Sequence, residues 1–251
     1  MGLFDLFKPG GSPRANSFSP RLVYAIGDVH GRADLLQRMI DLIHQDAAAL
    51  AAGKPTIVFL GDLIDRGPAS RLCLDIALDL GSADWCETIC VRGNHEQAML
   101  GFADEGVGGA MWCAHGGEAT LNAYGVQLPP HPTEEDWTLI RERLLQEVPQ
   151  AHWDLLRGMP LWAICGDYLF VHAGVRPNVP LEDQDETDLL WIRQPFLRAR
   201  RAADQVVVHG HTVLKAPEVK PWRIGLDTGA YVTGVLTAVR LRGYDRDLLQ
   251  T

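Results

Sequence analysis

The sequence predicts an α/β protein of two packed, mixed β-sheets flanked by helices, with a helical insertion near its middle. Three observations carry this. Apolar runs of strand length alternate with amphipathic stretches through residues 22–102, in the order βαβαβα. Each of the three strands ends in a segment rich in Gly and Asp or Asn. Asp28, Asp62 and Asn94 stand 34 and 32 residues apart, the length of one strand-helix-strand step. After a helical stretch over residues 104–160, short apolar strands return.

Taken in order, Leu22 to Ile26 reads as a buried strand. Leu35, Leu36, Met39, Ile40 and Ile43 then give a helical stripe over 33–52, which Gly53 and Pro55 end. Thr56 to Leu60 is the second strand and Leu72 to Leu80 the second helix. Ile89 to Val91 ends the third strand, and a third helix begins over Gln97 to Phe102. Residues 104–160 carry helical stretches broken by Gly108-Gly109, Gly116-Gly117 and Pro129-Pro130. Trp112, Trp137, Trp153 and Trp162 fall in or beside this insertion and read as core, with the insertion lining one side of a cleft. Leu161 to Cys165 and Tyr168 to His172 flank a Gly166-Asp167 hairpin turn. Strands at Gln205 to His209, Arg223 to Asp227 and Val235 to Leu241 complete the second half. Residues 1–20 read as a loose tail, and 21–251 as a single domain.

Composition narrows the function. The chain of 251 residues is long enough to bury a core without crosslinks. Its net charge of -9 disfavours a broad nucleic-acid surface, so phosphate recognition must come from a few arginines and from metal. Five scattered cysteines do not form a disulfide framework. No apolar run reaches the length of a membrane span, and the start of the chain lacks the form of a signal peptide. The cytoplasm is therefore the expected location, with no membrane partner. No motif bears on oligomeric state.

The strand ends carry the chemistry. Asp28 and His30, two apart in Gly27-Asp28-Val29-His30-Gly31, can point into one site. Asp62, in Gly61-Asp62-Leu63-Ile64-Asp65-Arg66-Gly67, is a carboxylate able to bridge two cations. Asn94, in Arg92-Gly93-Asn94-His95-Glu96, offers a neutral amide oxygen. His172 and His211 end later strands, in Val171-His172-Ala173-Gly174 and His209-Gly210-His211-Thr212. Mixed oxygen and nitrogen ligation without thiolate suits manganese, iron, zinc or cobalt. His209 and His211 are both available at the last position.

These motifs resemble the calcineurin-like metallophosphoesterases. Within them the match is to the phosphoprotein phosphatases, especially the bacterial and phage serine/threonine phosphatase branch. The resemblance implies a sandwich with a dinuclear metal centre, two divalent ions with manganese first and iron or zinc as alternatives. Carried onto this chain, it implies that Asp28 and His30 bind the first ion. Asp62 bridges, and Asn94, His172 and His211 bind the second. His95 becomes the general acid, held by Asp65. Arg66 and Arg92 bind phosphate, Arg193 is a third such arginine, and Tyr231 lies near the phosphate. The resemblance favours His211 over His209.

The function so implied is removal of phosphate from phosphoserine or phosphothreonine, with phosphotyrosine as an extension, by direct attack of a hydroxide shared by the ions. The substrate is then a phosphorylated protein or a small phosphate ester. The alternative is a nucleoside polyphosphate hydrolase resembling the symmetrical diadenosine tetraphosphatases. That reading wants an aromatic sandwich for adenine in the insertion, for which Trp112 and Trp137 are the candidates.

Overall fold

The computed structural model of the chain describes residues 17–51 and 53–251. Strand β1 (Ser19–Ile26) leads through α1 (Ala33–Leu50) to β2 (Thr56–Phe59), α2 (Ser70–Gly81), β3 (Glu87–Cys90) and α3 (Asn94–Leu100). The insertion follows as α4 (Gly109–Trp112), α5 (Glu118–Ala123), α6 (Glu134–Glu147) and α7 (Gln150–Gly158). Single π-helical turns lie at Gly101–Glu105 and Cys113–Gly117. The second half runs β4 (Trp162–Cys165), β5 (Tyr168–Val171), α8 (Glu186–Trp191), β6 (Val206–His209), β7 (Glu218–Val219) and β8 (Arg223–Gly225). It closes with α9 (Ala230–Thr233), β9 (Thr237–Gly243) and β10 (Asp245–Gln250).

The strands form two five-stranded sheets, ordered β10-β9-β1-β2-β3 and β4-β5-β6-β8-β7. In the first, β1, β2 and β3 are parallel, while β9 and β10 add antiparallel edges. In the second, β5, β6 and β8 are parallel between antiparallel β4 and β7. All the parallel strands therefore deliver their C-terminal ends to one edge of the sandwich.

Alternation along β1 shows how the layers form. Leu22, Tyr24 and Ile26 point to the helices, while Val23 and Ala25 point to the second sheet. The inter-sheet layer adds Val58, Leu60, Tyr168, Phe170, Val208 and Ile224. On the helical side the core is continuous from α1 and α2 into the insertion, through Leu121, Tyr124, Leu144, Trp153 and Leu156. The insertion is thus packed onto the same core as the first sheet's helices.

Several expectations need correction. Residues 1–16 of the expected tail lie outside the described residues, but residues 17–20 are not loose. Ser17 and Ser19 are buried, the Phe18 N–H donates to Asp167, and Ser19 already pairs with Gly243. Helix α1 stops at Leu50 because Ala51 turns left-handed, at φ 47°. The last long strand starts at Thr237 because Ala230–Thr233 winds into a helical turn first. Helix α8 and strands β7 and β10 were not expected. The segment of β10, Asp-Arg-Asp-Leu-Leu-Gln, is mostly exposed and has no apolar alternation to announce it. Among the described residues no helix is long and apolar enough to cross a membrane.

Because Leu144 of α6 is fully buried in the continuous core, Leu144→Ala should lower stability by about 3 kcal/mol. Urea unfolding followed by circular dichroism and tryptophan fluorescence should show one coincident transition. A separate, earlier transition for the insertion would contradict the shared core.

Candidate active site

Loops leaving β1, β2, β3, β5 and β6 converge at the C-terminal edge. Their backbone is far from relaxed. His30, Asp62, Asp65, Arg66 and His211 all have positive φ, between 45° and 72°. Such conformations cost of order 1–3 kcal/mol each for non-glycine residues and persist only where the surroundings fix them. Glu96, fully buried at the start of α3, does much of the fixing. Its Oε2 accepts the N–H groups of Asp62 (2.8 Å) and Gly93 (2.9 Å). Its Oε1 accepts those of Leu63 (2.7 Å) and Ile64 (3.3 Å). One carboxylate therefore ties the second loop to the third. Burial, with the nearby Asp62 charge, pushes Glu96 up to about 7, while its backbone donors pull it down. All four partners donate, so the geometry fits the ionised form. Gly93 is required here, since a Cβ would overlap the Asp62 carboxylate.

Asp62 is the centre. Its Oδ2 lies 3.4 Å from His30 Nε2, 3.5 Å from His172 Nε2 and 3.9 Å from His95 Nε2. Two groups share it: His30, Asp62 and His95, and Asp62, His172 and His211. Within each, the ligand atoms lie within 4.8 Å of one another. His30 and His172 are each oriented by Nδ1 donating to a backbone carbonyl, Ile64 at 2.9 Å and Leu60 at 2.7 Å. Their Nε2 atoms are thereby left as lone pairs. His30 Nε2 is buried without a partner, and His172 Nε2 faces Asn94 Oδ1 at 2.8 Å, acceptor against acceptor. His211 Nδ1 reaches the same oxygen at 3.0 Å. A cation among these atoms resolves the conflict, so the donor set fits divalent metal.

Electrostatics point the same way. Burial drives His30 down to about 3, His211 to about 3, and His172 downward, so all three are neutral, the form that ligates metal. Asp62 is raised by burial but held low overall by its imidazole neighbours. Asp28 is pushed up by burial and then by the charges of Asp227 and Asp62. Its carboxylate accepts the His211 N–H at 3.0 and 3.1 Å, and a Cβ on Gly210 would collide with it. Asp28 thus sits against the His211 loop rather than within either three-residue group.

His95 is held differently from the other rings. Its Nδ1 is 2.7 Å from Asp65 Oδ2. Asp65 also accepts the Trp112 indole N–H on Oδ2 (2.8 Å) and the Thr120 hydroxyl on Oδ1 (2.5 Å). Burial lowers the His95 pKa, but the charges of Asp62 and Asp65 outweigh it and the net shift is upward. Arg66 Nη2 stands 3.0 Å from His95 Nε2. Arginine only donates, so this contact occupies the lone pair where an acidic proton would sit. An anion that draws Arg66 away would free Nε2 for its proton.

The remaining expected residues divide. Arg66 lies over the Tyr231 ring at 4.8 Å, and Tyr231 is edge-on to His30 at 5.3 Å, so both are at the site. Arg193 follows α8 and is exposed, and its charge acts on His211 and Asp227. Arg92 is turned to Gln97 and the Arg157 carbonyl, both at 3.0 Å, and braces α3 against α7. His209 bonds the Gly210 carbonyl and packs edge-on against Phe196, while His211 joins the metal-type group. Trp137 packs on Phe102, and Trp112 is buried against Asp65, so they form no sandwich.

No role was expected for Glu96, Asp227 and Thr120, and Trp112 was expected as core or as a base-stacking candidate, not as a donor to Asp65. Asp227 Oδ1 accepts the Gly229 N–H, its Oδ2 is buried without a partner, and burial pushes it up to about 6. Its signal was present: it ends an apolar strand with glycines two residues to either side, much as Asp28 and Asp62 end strands beside Gly27 and Gly61.

A model of the family described as calcineurin-like phosphoesterase matches residues 22–234. The chain belongs to that family. Among curated relatives, the asymmetrical bis(5'-nucleosyl)-tetraphosphatase PrpE of Anoxybacillus flavithermus is 25% identical over 86% of this chain and 88% of its own. Its namesake from Geobacillus thermodenitrificans is 27% identical over the same shares. Among solved structures, a "putative diadenosine tetraphosphatase" superposes with a TM-score of 0.64 at 20% identity, over 92% of this chain and 93% of that one. A cold-active protein-tyrosine phosphatase of a Shewanella species gives 0.56 at 18% identity, over 98% and 87%. At these identities the superpositions establish the fold, the two-sheet sandwich flanked by helices. The family and its relatives make this chain a phosphoesterase.

Glu96→Gln should lower stability by about 2–3 kcal/mol, because an amide cannot accept from all four donors. Metal affinity should fall with it, since Asp62 loses its hold. Denaturant titration and calorimetric Mn2+ binding measure the two, and unchanged values for both would remove the clamp from the argument.

Proposed function

We propose that the protein is a metal-dependent phosphomonoesterase acting on phosphoserine and phosphothreonine, phosphotyrosine included. The observation that carries this is the arrangement around Asp62: two metal-type groups share its carboxylate, and one of their imidazoles, His95, is held by a second carboxylate, Asp65. Asp28, His30 and Asp62 would hold one divalent ion, and Asp62, Asn94, His172 and His211 the other. Manganese is our first choice of metal, with iron and zinc compatible with the same donors. Such a pair, when bound, supplies an activated water and neutralises charge on the phosphate oxygens.

The chain's own residues do the rest. Arg66 leaves His95 to take phosphate oxygens, and Arg193 approaches from the α8 side. Arg92 would join them by leaving its contacts with Gln97 and Arg157. Tyr231 keeps the Arg66 guanidinium in place. His95, its Nδ1 held by Asp65, hands a proton from Nε2 to the departing oxygen. An alkoxide leaving group needs that proton, which is why a dedicated, carboxylate-held acid favours monoesters.

A second reading, hydrolysis of dinucleoside tetraphosphates, is favoured by one specific observation: the curated relatives named above carry that activity in their names over 88% of their length. There the leaving group is itself a phosphate and has little need of an acid.

The decisive test combines substrate and acid. Chelation should abolish hydrolysis of a phosphoserine peptide and Mn2+ should restore it. His95→Asn should lower turnover on that peptide by about 100-fold or more, and far less on an aryl ester with a good leaving group. Equal losses on both esters would remove His95 as the acid. A wild-type kcat/KM for diadenosine tetraphosphate well above that for the peptide would decide for the second reading.

A further inference from the structure

Beside His95 the surface opens into a recess of about 260 Å3, with Asn94 and His95 among its lining residues. That is under the roughly 300 Å3 at which pockets for drug-sized ligands begin, so it holds about one ring system. Its walls are apolar: Ala98, Val107, Met111 and Trp191. Three of them are unusually exposed for their type, Val107 at 56%, Met111 at 65% and Trp191 at 45%. Most polar groups of its lining that have partners are turned elsewhere. Asn94 Oδ1 is turned to His172 and His211, the His95 nitrogens to Asp65 and Arg66, and His115 Nδ1 to the Met111 carbonyl.

We propose that this recess receives the flat ring of an aryl phosphate monoester, the phenol ring of phosphotyrosine. The inference rests on the phosphomonoesterase reading and narrows its substrate. His95 faces the leaving oxygen, so the group entering the recess next to it is the one that oxygen carries. In phosphotyrosine that is an apolar ring, which covers Met111 and Trp191. In phosphoserine it is a methylene on a peptide whose polar groups would go unpaired there. In a dinucleoside tetraphosphate it is another charged phosphate, which the apolar walls Ala98, Val107, Met111 and Trp191 do not pair.

Gly101 gives a test that leaves the metal and acid residues untouched. It lines the recess, its backbone is helical at φ -58° and ψ -42°, and a Cβ there meets nothing within 4 Å. Gly101→Leu should therefore fold, with an unchanged melting temperature, and fill the space. With the full chain loaded with Mn2+, calorimetry should show phenylphosphonate binding roughly 10-fold tighter than methylphosphonate, from burial of the ring. Gly101→Leu should erase that preference and leave methylphosphonate affinity as it was. Met111→Gln, at an exposed position, should weaken the preference in the same direction. In turnover, KM for a phosphotyrosine peptide should rise about 10-fold in Gly101→Leu, the same loss of ring burial, while that for a phosphoserine peptide barely moves. Equal binding of the two phosphonates by wild type, or a preference surviving both substitutions, would overturn the proposal. So would tighter binding of adenosine monophosphate than of phenylphosphonate, relieved by Gly101→Leu, which would give the recess to a nucleobase. Absence of any phosphomonoester hydrolysis would instead sink the phosphomonoesterase reading, and the phosphonate preference would still report on the recess.

Discussion

The site depends on one buried carboxylate. Glu96 receives four backbone N–H groups, those of Asp62, Leu63 and Ile64 from one loop and that of Gly93 from the next. Without it, Asp62 at φ 52° would relax toward an ordinary conformation, while Asp65 at φ 72° is held in addition by Ser70 and Thr120, whose hydroxyls accept its N–H at 3.0 Å. Asp62 must project its carboxylate among four imidazoles, and Asp65 must turn back towards His95. Neither direction is available to a relaxed loop leaving β2. The β1-β2-β3 ladder brings the loop ends together, Glu96 sets the angle of Asp62, and Ser70 and Thr120 set that of Asp65.

The insertion supplies the second constraint. It was expected to line a cleft, and it does border the recess beside His95. It also builds the acid. Trp112 and Thr120 saturate the outer faces of the Asp65 carboxylate, and the Gly116 carbonyl accepts the Arg66 N–H at 3.0 Å. Gly116 lies in a π-helical turn at φ 114°, a conformation open to glycine. A segment that packs as part of the main core thus fixes the one imidazole of the cluster that a carboxylate holds by its Nδ1. This explains why Trp112 is buried and hydrogen-bonded rather than free to stack on a base.

Much of this was legible in the sequence, for identifiable reasons. The apolar alternation of β1 and the stripe of α1 come from burial on one face, which periodicity reports directly. Asp28, His30, Asp62, Asn94, His172 and His211 stand at strand ends, where parallel topology must gather them. What escaped depends on partners distant in sequence. Nothing local marks Trp112 as a donor to Asp65, 47 residues away. Arg92 reads as a phosphate ligand by its motif, yet its guanidinium is committed to Gln97 and the Arg157 carbonyl. Strand β10 pairs along β9 as an exposed edge, so its sequence carries no buried face. Asp227 is the instructive miss, because an acid beside glycine at the end of an apolar strand, which flagged Asp28, occurs there too.

Asp227 also exposes the balance the site must strike. Asp28, Asp62 and Asp227 are all nearly inaccessible, and burying unpaired carboxylates is unfavourable by several kcal/mol each. The nearby protein cations, Arg66 and Arg193, are few and are needed for substrate. The neutral histidines contribute lone pairs and no charge. The arrangement is therefore poorly compensated by protein groups, and a cluster of that kind favours divalent cations strongly. The same excess of negative charge explains why Arg66 rests on His95 and over Tyr231. It is held close to the carboxylates by their field but tied to none of them, and so stays available to an incoming phosphate.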